Sequence, residues 1–325
     1  MKHAIVRQSY ASVFFMLCIA VLPGVAPAQN YPAKSIRYVV PFPPGGITDI
    51  MARTIAQKTS EAWKQPVVVD NRPGGNALIG AEVVAKSSPD GYTWLAMTIT
   101  HTVNATLFPQ AAYNFAKDLA AVSVLGSVPL VVVVPQTLPV KSLAELTALG
   151  RTRPLNGGSS GNGTPQHLAL ELYRQLAGID VQHVPFKGGG PSIISLVGGH
   201  LDFLITGLPE CLPQIKAGRL RAIAVAGASR IAALPDLQTT AELGLPALAI
   251  TSWTGLMVPA GTPKDVITRI NAGVVAVLKQ PDTAEKVREQ GFDVVANTPA
   301  EAHSFMAAEV ERWGKLVRDA NIKAD

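Results

Sequence analysis

Short runs of β-branched residues recur along the chain with helical patterns between them, and this alternation limits the possible folds more than any other feature. The runs cover residues 36–40, 67–70, 93–97, 130–134, 181–184 and 220–225. Strands alternating with helices predict an α/β fold. Two helix starts are legible in detail. Thr262, Pro263 and Asp265 read as an N-cap, a proline at the first helical position and an acid near the positive end of the dipole, predicting a helix to Lys279. Thr298, Pro299 and Glu301 repeat the logic with a capping box and predict a helix to about Ala320.

The chain has 325 residues, 48% of them hydrophobic and 16% charged, so it can bury a large core. Disordered, collagen-like and disulfide-stapled classes are excluded. At about 150 residues per domain, the length suits two domains. The character of the chain changes at Gly126-Ser127-Val128-Pro129, before a run of valines, and again across residues 250–255. Two such crossings predict a discontinuous first lobe (29–129 plus 254–325), a second lobe (130–253) and a cleft between them.

The first residues carry Lys2 and Arg7, a mostly apolar run over 11–22, and Ala26-Pro27-Ala28. That is the pattern of a secretory signal, expected to be cleaved near Ala28. The run is well short of the roughly 20 residues needed to span a membrane. Loss of residues 1–28 removes Cys18 and leaves Cys211 alone, so no intramolecular disulfide is expected. It leaves 26 basic against 23 acidic side chains, a net charge of +3, too mild for a nucleic-acid footprint. A soluble monomer with no nucleic-acid partner is the expectation.

One loop pattern occurs twice. Pro41-Phe42-Pro43-Pro44-Gly45-Gly46 and Pro185-Phe186-Lys187-Gly188-Gly189-Gly190 each follow a strand and precede a helix, one in each expected lobe. Glycines at such a place let backbone N–H groups turn toward a ligand, and the helix N-terminus favours an anion. Facing copies would grip an anion from both sides; the plainer alternative is a pair of tight strand-to-helix connections. A third glycine-rich segment, residues 156–164, contains Ser159 and Thr164 and ends at a capped helix start. A fourth, residues 98–104, supplies Thr98 and His101 among uncharged hydrogen-bonding groups. Both could orient a ligand or simply cap a helix.

The missing motifs narrow the chemistry. None of these loops ends in the Lys-Ser/Thr of a P-loop or forms a complete G-x-G-x-x-G, which argues against nucleotide binding. The histidines form no H-E-x-x-H or comparable cluster, so neither a metal nor a cofactor is expected. Gly157-Gly158-Ser159-Ser160-Gly161 satisfies the G-x-S-x-G of secreted α/β hydrolases. Its context is poor, because residues 151–156 are no convincing strand and Gly161 to Thr164 delay the helix that should begin at the serine. Asp49 and Asp202 are isolated carboxylates, and Asp49 suits a helix cap, so no acid–base pair is visible.

A series of segments resembles the periplasmic substrate receptors of tripartite tricarboxylate transporters, the Bug-type receptors, over essentially the whole mature chain. They are Tyr31-Pro32, Pro41 to Gly46 with Asp49, Asp70-Asn71-Arg72-Pro73-Gly74 and Ser88-Pro89-Asp90-Gly91-Tyr92-Thr93. Pro185 to Pro191, Ile215 to Ala222 and Val258 to Lys264 continue it in the same order. The resemblance implies a two-lobed, type II periplasmic-binding-protein fold that closes on a small organic carboxylate and presents it to a membrane permease, without catalysis. It assigns ligand contacts to Phe42, Gly45 and Gly46, to Ser159 and Thr164, and to Gly188, Gly189 and Gly190. Two positions depart from the pattern. Ala105 follows Asn104 where many relatives have proline, and Thr206 stands where relatives commonly have an aspartate able to meet a ligand ammonium. Thr206, with Lys187 as the only cation inside the glycine loops, leads to the expectation of a mono- or dicarboxylate without an amine.

Overall fold

The computed structural model describes residues 31–319; the expected leader and its cleavage site near Ala28 lie outside the described residues. In chain order the elements are β1 (Ile36–Val40), α1 (Ile47–Trp63), β2 (Val67–Asn71), α2 (Leu78–Ala85), β3 (Thr93–Thr98), α3 (Ile99–Leu107), α4 (Phe115–Asp118) and β4 (Leu119–Pro135). They continue with α5 (Leu143–Gly150), β5 (Leu155–Ser159), α6 (Pro165–Ala177), β6 (Val181–Pro185), α7 (Gly189–Val197), β7 (Phe203–Gly207), α8 (Leu208–Lys216) and β8 (Leu220–Ala226). The chain closes with β9 (Thr251–Pro259), α9 (Lys264–Leu278), α10 (Pro281–Glu289), β10 (Asp293–Val294) and α11 (Pro299–Asp319).

The 17-residue strand β4 ties the sheet together. Residues 119–129 of β4 pair antiparallel with β9, whereas residues 130–133 pair with β7 along one edge and residues 130–135 with β8 along the other. Pro129 stands at this exchange and has no N–H to give to a ladder. Nearly every β4 residue is buried, as in a strand covered on both faces. The strand order is β2-β1-β3-β9-β4-β7-β5-β6, with β8 and β10 also paired to β4. Parallel pairing joins β1 to β2 and β3, and β5 to β6 and β7. The two glycine loops therefore leave the carboxyl ends of parallel strands β1 and β6, where α/β sheets bind ligands.

The buried side chains form three clusters. Tyr38, Met51, Trp94, Leu256 and Phe292 share one buried cluster, and Val131, Val133, Leu204 and Leu212 another. The largest cluster joins Met97, Val132, Phe203, Trp253 and Trp313. Helix α11 is pinned there by Glu309, whose Oε2 accepts the indole N–H of Trp253 and of Trp313, each at 2.7 Å.

Five of the expected strands match within a residue or two, while β4 begins at Leu119 rather than residue 130. Strand β5 corrects the reading of residues 151–156, since the chain is extended from Leu155 to Ser159. A Cβ at Gly157 would lie 2.6 Å from Leu170 Cδ1, and one at Gly158 would lie 2.6 Å from Leu201 and Leu204, so the strand is glycine-rich because its faces have no room. The capping box at α11 forms, with Thr298 N–H donating to Glu301 Oε2 at 2.9 Å and Glu301 N–H to Thr298 Oγ1 at 3.3 Å. The expected cap at α9 does not form: the helix starts at Lys264 with Pro263 at the cap position, and the Thr262 hydroxyl donates to the Pro259 carbonyl at 2.8 Å.

Candidate functional site

The first glycine loop is shaped by Asp49, in the first turn of α1. Its Oδ2 accepts the Gly45 N–H and Arg53 Nε, each at 2.9 Å, and its Oδ1 accepts Asn71 Nδ2 at 2.9 Å. Burial pushes the carboxyl pKa up, but these donors and the Arg53 charge outweigh it and hold Asp49 below its ordinary value. Asn71 Nδ2 also donates to the Phe42 carbonyl at 2.9 Å, so β2 braces both ends of the loop. Gly45 has φ +86°, a left-handed conformation that favours glycine.

The second loop meets the first face to face. A Cβ at Gly188, where φ is +121°, would lie 2.8 Å from Pro43 Cδ, and one at Gly190 would lie 2.8 Å from the Pro44 carbonyl oxygen. A Cβ at Gly189 would fall on the carboxyl group of Glu210, inside any allowed contact distance. Only hydrogen fits at Gly188 and Gly190 while the loops stay together, and only hydrogen fits at Gly189 while Glu210 keeps its place.

Glu210 is the residue that sequence reading missed. It lies in the first turn of α8, only 8% exposed, and reaches across to the first loop, where Oε1 accepts the Ile47 N–H at 3.0 Å. Its Oε2 accepts the Thr206 hydroxyl and Gln166 Nε2. Burial raises its pKa above the usual glutamate range, and the donors from Thr206, Ile47, Gln166 and Gly207 offset only part of that. An acid early in a helix beside Pro209 reads as a helix-dipole partner. Only the loop contact shows that it faces the cleft.

Around Glu210 lies an inner cavity of about 30 Å³, lined by Phe42, Gly46, Thr98, Thr164 and Gly189 among others. Three more lining residues, Thr100, Ser160 and Ser252, are at least nine-tenths buried and carry hydroxyls with no hydrogen-bond partner. Buried hydroxyls are ordinarily paired, so three in one hollow mark a place for a polar group. The cavity adjoins an outer hollow of about 630 Å³ through Phe42 and Ser160, which line both.

Thr98 and Thr164 also brace the cavity that they line, while His101, Ser159 and Thr206 are not part of its lining. Thr98 donates to the Trp253 carbonyl at 2.7 Å, and its N–H donates to His101 Nδ1 at 3.2 Å. His101 is fully buried, and that burial lowers its pKa to about 4, so the ring is neutral. Thr164 caps α6 and donates to the Gly161 carbonyl at 2.7 Å. Ser159 is fully buried beside Ser160, and its hydroxyl lies 2.6 Å from His183 Nε2. Thr206 is buried and serves Glu210. Asp202 lies elsewhere, on Arg153 and the Asn156 N–H. Cys211 is buried and free, its thiol pKa raised by burial and the nearby Glu210. Among the described residues no three His, Cys, Asp or Glu side chains are grouped to hold a metal, and no helix is long and apolar enough to cross a membrane.

Residues 51–322 match the model of the tripartite tricarboxylate transporter family receptors, TctC. The chain belongs to that receptor family. BugT of Bordetella pertussis is 36% identical, with 96% of this chain and 97% of BugT aligned. Among solved structures, R. palustris Rpa4515 with adipate is 36% identical with a TM-score of 0.87, covering 90% of this chain and 99% of that one. MatC of Rhodopseudomonas palustris with bound malate is 30% identical with a TM-score of 0.82, covering 88% of this chain and 100% of that one. The receptor thus has the two-lobed periplasmic-binding-protein fold and a solute-binding role.

Proposed function

We propose that this receptor captures a small organic carboxylate in the cleft between its glycine loops and hands it to the membrane permease of a tripartite transporter. The meeting of the loops carries this reading, since two strand-to-helix loops rich in glycine face each other across a hollow lined by Gly46, Gly189 and unpartnered hydroxyls. The adipate and malate held by two relatives support carboxylates as the ligand class. In this reading Phe42, Gly46, Thr98, Thr164 and Gly189 face the ligand. Gly45, His101, Ser159, Gly188, Gly190 and Thr206 hold the loops that do so. The first lobe comprises residues 29–129 and 254–325, the second residues 130–253, and the hinges lie where β4 exchanges partners and where the chain enters β9. Export with cleavage near Ala28, action as a monomer and absence of catalysis belong to the same proposal.

A thermal-shift screen of residues 29–325 against aliphatic and aromatic carboxylates, amino acids and esters tests it. A ligand at about 100 times its dissociation constant adds roughly 2.7 kcal/mol of stability, so a selective rise with a carboxylate is expected. No rise with any carboxylate sinks the reading. The contact between Ser159 and His183 is the one observation on the side of a hydrolase. Ester turnover that vanishes in Ser159→Ala would establish that alternative, whereas a receptor turns over no ester in either form.

A further inference from the structure

The inner cavity has no lysine, arginine or histidine in its lining, and Glu210 is its one ionisable side chain. Both Glu210 oxygens are already engaged by Ile47, Thr206 and Gln166, so the chain's own carboxylate occupies the donors at the start of α1 that would greet an anion. At about 30 Å³ the cavity holds a group the size of two or three waters. A ligand carboxylate placed there would meet the Glu210 carboxyl group with the Ile47, Thr206 and Gln166 donors already taken and no cation in the lining, which is costly. The outer hollow differs. It is large enough for a small molecule at about 630 Å³, walled by Phe42, Phe108 and Phe186, and bordered by Lys187, the one cationic side chain in its lining.

We propose that the ligand is a singly charged carboxylate with an apolar body and an uncharged polar end. Its carboxylate rests beside Lys187, its body packs on the phenylalanines of the outer hollow, and its uncharged end enters the inner cavity to meet the hydroxyls of Thr100, Ser160 and Ser252. Glu210 is the positioning and selecting residue that turns a second carboxylate away. This rests on the carboxylate-receptor reading above and narrows its ligand class.

Isothermal titration of residues 29–325 with 4-hydroxybenzoate, 4-hydroxyphenylacetate, malate, succinate, adipate and glutamate tests it, on the wild type and on Glu210→Gln, Lys187→Ala and Phe108→Ala. Circular dichroism confirms that each variant is folded. The hydroxyaryl monocarboxylates are expected to bind at least about tenfold more tightly than the dicarboxylates and glutamate. Glu210→Gln should close most of that gap by strengthening the dicarboxylates, while Lys187→Ala and Phe108→Ala weaken the monocarboxylates by about tenfold. A dicarboxylate or glutamate that binds the wild type more tightly, or a gap unchanged in Glu210→Gln, overturns the inference and leaves the carboxylate receptor standing. If Glu210→Gln is unfolded, Lys187→Ala and Phe108→Ala decide, and monocarboxylate affinity untouched by both overturns the inference. Binding of no carboxylate of either class removes the broader reading with it.

Discussion

Replacing Gly189 with alanine puts a methyl group on the Glu210 carboxyl group. In an ordinary helix interior this change stabilises by about 0.5–1 kcal/mol, because alanine loses less backbone freedom. Here the carboxylate must swing away from the Ile47 N–H and the Thr206 hydroxyl. A hydrogen bond to a charged group is worth about 1.5–3 kcal/mol, and overpacking a tight site costs about 1–3 kcal/mol more. Protonation of the displaced carboxyl returns part of this, so the net expected loss is about 2–4 kcal/mol. At roughly 2 °C per kcal/mol for a chain of this size, the melting temperature falls by about 4–8 °C in scanning calorimetry. Gly227→Ala is the matched control, since its Cβ would meet nothing nearer than 3.6 Å and the change should stay within about 0.5 kcal/mol. A Gly189→Ala protein as stable as Gly227→Ala would refute the claim that Glu210 is wedged between the loops.

The buried histidine predicts a pH effect with a definite sign. His101 has a folded-state pKa of about 4 against 6.5 when free, so its contribution is full above pH 6.5 and is lost as pH falls from there to about 4, on the order of 3 kcal/mol. His101→Gln, which keeps a capping side chain for Thr98, should flatten that window in denaturation curves; an unchanged pH profile contradicts the assignment. Glu210 acts in the opposite sense. Its raised pKa means that stability is full below the ordinary glutamate value of 4.5 and declines as pH rises through the folded-state value, so Glu210→Gln should gain on the wild type toward neutral pH. Glu309→Ala strands two buried indole N–H groups and should cost about 2–4 kcal/mol by urea unfolding, whereas Glu309→Gln keeps an acceptor and should cost clearly less.

The residues show why the sequence revealed some elements and hid others. Strands β1, β2, β3, β6 and β8 announce themselves through valine and isoleucine between turn residues. Strand β5 is silent because tight packing on both faces demands glycines, the residues that ordinarily argue against a strand. The first half of β4 lacks alternation because helices and neighbouring strands bury it on both sides. The glycine loops were legible as a repeated motif with a physical reason, and Lys187 as their one cation. Glu210 was not, since its place in the cleft depends on α8 docking against the start of α1, a contact between residues 163 positions apart. Ser160 rather than Ser159 lines the inner cavity for a similar reason, because alternate residues at the end of β5 face opposite ways.

The most direct test of the central claim is calorimetric titration of the wild type and Gly189→Ala with the carboxylate that gives the largest thermal shift. One site per chain is expected in the wild type and at least about tenfold weaker binding in the variant, because the methyl group falls on the Glu210 carboxyl group and displaces it within the inner cavity. Equal affinity in the two proteins would place the ligand somewhere other than between the glycine loops and contradict the account.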